Sequence, residues 1–481
     1  MITKNKDRIS IPTAFIIFGA TGDLTRRKLA GSLLNLYCKG FMPDNFQVMA
    51  VSRRDYTDQQ FRDFIYENSL KDLEYKFGKN DISDFLTKIT YIKGYFSEES
   101  TYEKIKKHLS SNAGGLNICD NKLYYLAVPP KYYLDIFKNL SKSGLTLPCG
   151  PESGWTRVLV EKPFGRDIGT AIKLDRMLGK LFREEQIFRI DHYLAKDTIQ
   201  NILFFRFSNI IFDPVWNNNY IEKIEIKLLE DLDIGTRGSF YENIGALRDV
   251  GQNHMLQMLA LIAMENPKSQ SAENIREERT KVLRSLVVMD GPADIAKMVT
   301  RGQYKGYREH KDVDRDSMTE TYFKIKTYLA NKIWKGVPFY LESGKAIDRK
   351  NTEIVIYFRD VSDCVCSKDH KSFEHQNILS IKIFPEEGIS LRFWAKKPGL
   401  YNDLEPRDLK FNYKKTGIQD TGEYDKVLLD CMRGDQTLFT STAEVHLAWK
   451  YITPILKNWS GTRLHIYEKG SPGPIINPDE G

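Results

Sequence analysis

The chain has 481 residues, of which 41% are hydrophobic and 28% charged, and a net charge of +7. That length accommodates two or three domains with well-buried cores, and the composition excludes a disordered or fibrous chain. The charge balance suits small anionic ligands, while basic runs as short as Arg26-Arg27-Lys28 give no footprint for nucleic acid.

The N-terminal MITKNKDRIS has neither the apolar core nor the cleavage-like site of a secretory signal, so a cytoplasmic protein is expected. Residues 13–165 then alternate between short apolar strands and amphipathic stretches. TAFIIFG, FQVMAVS, KITYIKG, KLYYLAV and TRVLVEK read as strands, with helical patterns such as RKLAGSLLNLYCKG and DQQFRDFIYENSL between them. Apolar strands alternating with helices predict a parallel sheet covered on both faces. FIIFGATGDLTRRKL is a strand running into a glycine turn and a helix. Gly19 and Gly22 let the backbone approach a pyrophosphate, whose charge the helix N-terminus favours. The second strand ends in AVSRRD, with Arg53 and Arg54 where folds that prefer NAD carry an acid, so NADP is the expected cofactor and NAD the alternative.

After about residue 200 the pattern changes to long alternating strands: YIEKIEIKLLE, ETYFKIKTYLA, NTEIVIYFRD, QNILSIKIFP and EGISLRFWAK. Short connections between several of them predict a mostly antiparallel sheet. One helical stretch, IGALRDVGQNHMLQMLALIAME, interrupts them. Its apolar core, LQMLALIAM, is too short to span a bilayer. The expectation is a Rossmann-like α/β dinucleotide domain over 1–200, followed by a larger α+β domain over 201–481. The six cysteines are too sparse for a disulfide framework. Cys364 and Cys366, followed by His370 and His375, fit no common zinc spacing and read as a polar loop, so no metal is expected.

The stretch RIDHYLAKDTIQNI concentrates Asp191, His192, Tyr193 and Lys196 in a chain with only eight histidines. Such a cluster either faces water or grips an anion. If this stretch is helical, His192 and Lys196 lie i to i+4 on one face and converge on one dianion.

FGATGDLTRRKL, YYLAVPPKYY, VEKPFGRD, RIDHYLAKD, FRFSNIIFDPVWN, RGSFYENIGALRDVGQNH and VPFYLESGK occur in that order. Together they resemble the glucose-6-phosphate dehydrogenase family, over essentially the whole chain. The resemblance implies oxidation of glucose 6-phosphate at C1 with hydride transfer to NADP, and a homodimer or homotetramer joined through the large sheet. It makes His254 the general base and Asp191 the carboxylate that orients its imidazole. It gives the substrate phosphate to His192, Tyr193 and Lys196, and the sugar hydroxyls to Glu230 and Asp249. Lys345 and Lys350 become basic substrate contacts, and Lys162 stands between substrate and cofactor. The turn Gly19, Ala20, Thr21, Gly22, Asp23 and Leu24, with Arg53 and Tyr133, is assigned to the cofactor.

The chain departs from the family pattern mainly on the sugar side. Ala195 and Asp197 replace the last residues of the usual HYLGKE, Glu342 stands where arginine precedes SGK, and Phe384 stands where glutamine is common. Ser441 and Ala443 replace a C-terminal arginine and aspartate. Other readings are a relative acting on another hexose or amino-sugar phosphate, and a non-catalytic paralogue. The presence of Asp191, His192, Lys196 and His254 argues against the paralogue.

Overall fold

The computed structural model describes residues 11–111, 115–147, 149–150, 153–361, 375–401, 403–413 and 422–474. They form two compact units. The first contains the described residues up to Gly165, Gly169–Ala195 and those of Gly417–Thr442; the second contains Arg166–Ile168, those of Lys196–Thr416 and those from Ala443 onward. By contacts the first unit runs to Ala195, and a C-terminal stretch returns to it.

The first unit is built on strands β1 (Thr13–Phe18), β2 (Phe46–Ser52), β3 (Ile89–Lys93), β4 (Asn121–Leu126), β5 (Thr156–Val160) and β6 (Ile187–Ile190). A late two-residue strand, β15 in chain order (Phe439–Thr440), joins them. The sheet order is β15-β6-β5-β4-β1-β2-β3, parallel throughout except where β15 meets β6. Every residue of β1 and β4 is buried, which is why these strands read as continuous apolar runs. The chain leaves β1 for β2 on one side and reaches β4 on the other. Strand order thus reverses between β1 and β4, where doubly wound sheets open a crevice at their carboxyl ends.

The returning stretch is bound into this unit by polar contacts. Asp425 accepts a hydrogen bond from Asn35, Arg157 donates to the carbonyls of Cys431 and Met432 at 2.7 Å, and Gln436 donates to the carbonyls of Glu184 and Ile187. Cys119 and Cys149 form one disulfide, between the loops that precede β4 and β5.

The second unit holds β7 (Ile221–Leu229), β8 (Val299–Tyr304), β9 (Tyr322–Thr327), β10 (Phe339–Gly344), β11 (Asn351–Phe358), β12 (Ile378–Phe384), β13 (Gly388–Lys396), β14 (Leu404–Asn412) and β16 (Leu464–Tyr467). Their order is β14-β13-β12-β11-β7-β10-β9-β8-β16, with β7/β10 and β8/β16 parallel and the other neighbours antiparallel. Strand β14 carries Pro406 and several charges, a composition that a central strand excludes and an edge strand tolerates, and it does lie at the edge.

The interrupting helix begins with a wide π-type segment, Leu247–Met255, and continues as Leu256–Ala263. Every residue of the second segment is buried, the reason it is apolar all round. Its last carbonyls, which have no partner within the helix, are all met from outside. Arg206 donates to Leu261 O at 2.8 Å and Met264 O at 2.7 Å, Trp216 to Ile262 O at 2.8 Å, and Trp334 to Ala263 O at 2.7 Å. Among the described residues no helix is long and apolar enough to cross a membrane.

Candidate active site

In the first unit the candidate residues stand at the carboxyl ends of the parallel strands. Gly19 follows β1 with φ +88°, and a Cβ there would lie 2.3 Å from Ala127 O, so only glycine fits this turn. The turn is closed by Gly22 N–H to Gly19 O at 2.9 Å. It is tied to the end of β2 by a 2.8 Å hydrogen bond between the hydroxyls of Thr21 and Ser52. Asp23 pairs with Arg26 in the first turn of the helix that follows. Beyond β2, Asp55 is neutralised by Lys93 at 2.8 Å, and the Arg54 guanidinium lies over the Phe64 ring at 5.7 Å. Arg53 is exposed, with no ion pair or hydrogen bond from its side chain among the described residues. An unengaged guanidinium beside a glycine turn fits a nucleotide with a 2′-phosphate.

Lys162 follows β5, and its neighbour Glu161 organises what surrounds it. The Glu161 carboxylate accepts from Tyr125 Oη at 2.6 Å and meets His192 Nε2 at 3.2 Å. The other face of the His192 ring environment is Tyr424, with ring centroids 4.3 Å apart. Tyr133 is 1% exposed and donates its hydroxyl to Glu161 O at 3.1 Å. The hydroxyl thereby supports the segment bearing Lys162.

The residues from Asp191 to Lys196 are not helical. Asp191 is buried, and its Oδ1 accepts from Tyr193 N–H at 3.0 Å, an aspartate turn that competes with helix. Consecutive turns follow, with Leu194 N–H to Asp191 O and Ala195 N–H to His192 O. The helix starts only at Asp197 and runs to Phe207, so the helical i to i+4 argument for His192 and Lys196 fails. Lys196 instead occupies the residue before that helix, next to backbone N–H groups that favour an anion. Asp197, one of the departures, sits in the first turn, where a negative charge suits the helix dipole.

In the second unit the site grows from strand register. Parallel pairing sets Leu229 of β7 against Gly344 of β10, so the next residues, Glu230 and Lys345, emerge side by side. Lys345 is 5% exposed, and its ammonium pairs with Glu230 and lies 3.9 Å from Asp249 Oδ2 and 5.3 Å from the Tyr241 ring centroid. A buried cation needs such partners. The backbone at this point is strained: Ala346 has φ +53°, held by hydrogen bonds from Lys345 N–H to Thr321 O, Ala346 N–H to Leu232 O and Ile347 N–H to Glu230 O. Such strain persists only where the surroundings enforce it, and it concentrates at functional sites.

Asp249 and His254 both belong to the π-type segment. With turns closed between residues five apart, positions 249 and 254 share a helix face. His254 is 4% exposed. Gly251 lets this segment pack on β9, since a Cβ there would lie 3.0 Å from the Phe323 ring.

Lys350 is exposed and lies with its ammonium 4.2 Å from the centroid of Phe384. Glu342 is engaged in the sheet, accepting from Tyr322 Oη at 2.8 Å and facing Lys324 at 3.8 Å. Cys364, Cys366 and His370 lie outside the described residues; His375 packs edge-on against Trp394 at 4.8 Å. No group of metal-binding side chains occurs among the described residues. Sequence reasoning missed Glu161, although it stands inside the quoted VEKPFGRD. It also missed Tyr424, for which no local signal exists, and Tyr241, whose buried hydroxyl has no hydrogen-bond partner among the described residues.

Residues 16–201 match the family described as glucose-6-phosphate dehydrogenase, NAD binding domain, and residues 203–478 match its C-terminal domain. The chain belongs to the glucose-6-phosphate dehydrogenase family. Among curated members of the glucose-6-phosphate dehydrogenase family, it is 40% identical to glucose-6-phosphate 1-dehydrogenase of Aggregatibacter actinomycetemcomitans over 471 residues, covering 95% of this chain and 93% of that one. It is 37% identical to the Chlamydia pneumoniae enzyme over 500 residues, covering 98% and 94%. A solved structure described as glucose-6-phosphate dehydrogenase in complex with its substrate glucose-6-phosphate is similar with a TM-score of 0.88 at 31% identity, covering 97% of this chain and 96% of that one. The doubly wound first unit and the mostly antiparallel second unit are the fold of this glucose-6-phosphate dehydrogenase family member.

Proposed function

We propose that the chain oxidises the C1 hydroxyl of D-glucose 6-phosphate to 6-phospho-D-glucono-1,5-lactone with NADP. The observation that carries this reading is the Glu230, Asp249 and Lys345 cluster with His254 on the same helix as Asp249. Carboxylates accept from sugar hydroxyls, an ammonium donates to them, and a histidine is suited to take a proton near neutral pH. NADP, when bound, supplies the hydride acceptor. The glycine turn that a Cβ would fill, and the unengaged Arg53, fit that group. His254 removes the C1 hydroxyl proton, and Asp191 keeps the orienting role that RIDHYL gives it by resemblance. His192, Tyr193 and Lys196 take the phosphate, Lys350 adds a positive charge for the substrate, and Lys162 serves substrate and cofactor. A homodimer or homotetramer through the large sheet is supported by exposed Leu409 and Phe411 on edge strand β14, and a cytoplasmic location is part of the same proposal.

The test is direct. Pure protein with glucose 6-phosphate and NADP should generate reduced-cofactor absorbance; failure to do so with any hexose phosphate and either nicotinamide defeats the reading. Arg53→Ala should weaken NADP far more than NAD, because only NADP carries the 2′-phosphate. Equal losses in kcat/KM for both cofactors would make Arg53 a structural residue.

One observation favours a neighbouring specificity. Phe384 cannot make the hydrogen bonds of a glutamine amide, and its ring carries the Lys350 ammonium instead. A hydrogen bond of that kind is worth about 0.5–1.5 kcal/mol, so Phe384→Gln should change discrimination among glucose 6-phosphate, its epimers and its 2-amino analogue by roughly 2- to 12-fold. Ratios of kcat/KM that do not move would remove Phe384 from the sugar pocket.

A further inference from the structure

The start of the helix that carries Asp249 and His254 is held by a buried carboxylate. Ala246 N–H donates to Glu320 O at 3.0 Å, and Leu247 N–H donates to Glu320 Oε1 at 3.0 Å. Gly245, with φ +69°, makes this approach feasible: a Cβ at 245 would lie 2.2 Å from Glu320 Oε1. Glu320 stands two residues before β9, the strand on which Gly251 packs, so one segment holds the helix at its first turn and in its middle.

The first N–H groups of a helix have no partner inside it, and negative charge there is favoured. Burial pushes the Glu320 carboxyl up to about 7, opposed by the Leu247 N–H and by the charges of Arg248 on the helix and Arg301 on β8. Burial, then the Asp249 carboxylate and then that of Glu320, push up the phenol of Tyr241. Leu247, the tethered residue, is also where the π-type segment begins. The rotation of every residue in that segment about the helix axis is therefore referred to this anchor, including Asp249 and His254.

We infer that Glu320 is a positioning residue for the reaction, fixing the first turn of the π-type segment and hence the direction in which Asp249 and His254 present their side chains. The inference rests on the roles proposed above for those two residues. It distinguishes Glu320 from an ordinary stabilising cap, because losing the acceptor should reorient the sugar-side residues without touching the nucleotide-binding unit.

Three variants test it, assayed well below their unfolding temperatures. E320Q keeps the length and the acceptor, E320D keeps the charge but retracts the acceptor by one methylene, and E320M removes both. E320Q should retain at least half of wild-type kcat with glucose 6-phosphate. E320D and E320M should lose at least fivefold in kcat/KM for the sugar, with KM for NADP within twofold of wild type. If E320M does not fold, the comparison of E320Q with E320D decides. Equal activity in E320D and E320Q overturns the inference, as does a parallel loss in KM for NADP and in sugar turnover. A wild-type protein that oxidises no hexose phosphate fails the proposed function instead, so the two failures are separable.

Discussion

Replacing His254 with asparagine should lower kcat for glucose 6-phosphate oxidation by about 10² or more, while the substrate still binds. Asparagine is smaller and polar, and its amide cannot accept a proton at accessible pH. The hydride leaves C1 only as the hydroxyl proton departs, so without a base that proton must go to water. A factor of 10² corresponds to about 2.7 kcal/mol of transition-state stabilisation, within the range that one positioned base provides. Because the sugar-side partners Glu230, Asp249 and Lys345 are untouched, KM for the sugar should change much less than kcat. The limb of the kcat pH profile that reports the base should vanish with it. Turnover within fivefold of wild type would mean that the base is another residue.

Arg206→Met should be the largest loss of stability among the substitutions considered. The guanidinium is buried, donates to the carbonyls of Leu261 and Met264, and lies 4.9 Å from the Trp216 ring centroid. Burial lowers its pKa to about 9, so it remains a cation at neutral pH and suits the negative end of the helix dipole. Methionine keeps much of the stem's packing but leaves two buried acceptors without donors, each costing about 1–3 kcal/mol. The sum of about 2–6 kcal/mol should lower the melting temperature of the second unit by roughly 5–20 °C. Activity should fall as well, since the clamped helix is the one that carries Asp249 and His254. A melting temperature within a degree or two of wild type would mean that water or a shifted side chain replaces the guanidinium.

Strand and helix were legible wherever the pattern was dense. The buried parallel strands β1, β2, β4 and β5 read as apolar runs, and the alternation along β7 matched its half-buried faces. Strands with glycine, proline or charge at their centres were not legible: VTRGQY, FYLESG and LEPRDLKFN became strands because their neighbours pair with them. Local chemistry misled at Asp191, where a side chain capturing its own backbone stopped a helix that the spacing of His192 and Lys196 had suggested. Contacts of long range left no trace in the sequence. Nothing near RIDHYL announces Tyr424, and nothing near RDVGQNH announces Glu320.

The returning stretch that completes the first unit has a consequence for biosynthesis. The ribosome delivers β1 through β6 first, yet β15 and the partners of Asn35 and Arg157 emerge only after nearly all of the second unit. At about 5–20 residues per second, that interval is roughly 10–45 s. During it, β6 offers an unpaired edge, and the Asn35 amide and the Arg157 guanidinium wait for acceptors not yet made. The nascent nucleotide-binding unit thus keeps an open edge while the second unit is translated, and a truncated message yields a half-built sheet whose open edge invites aggregation.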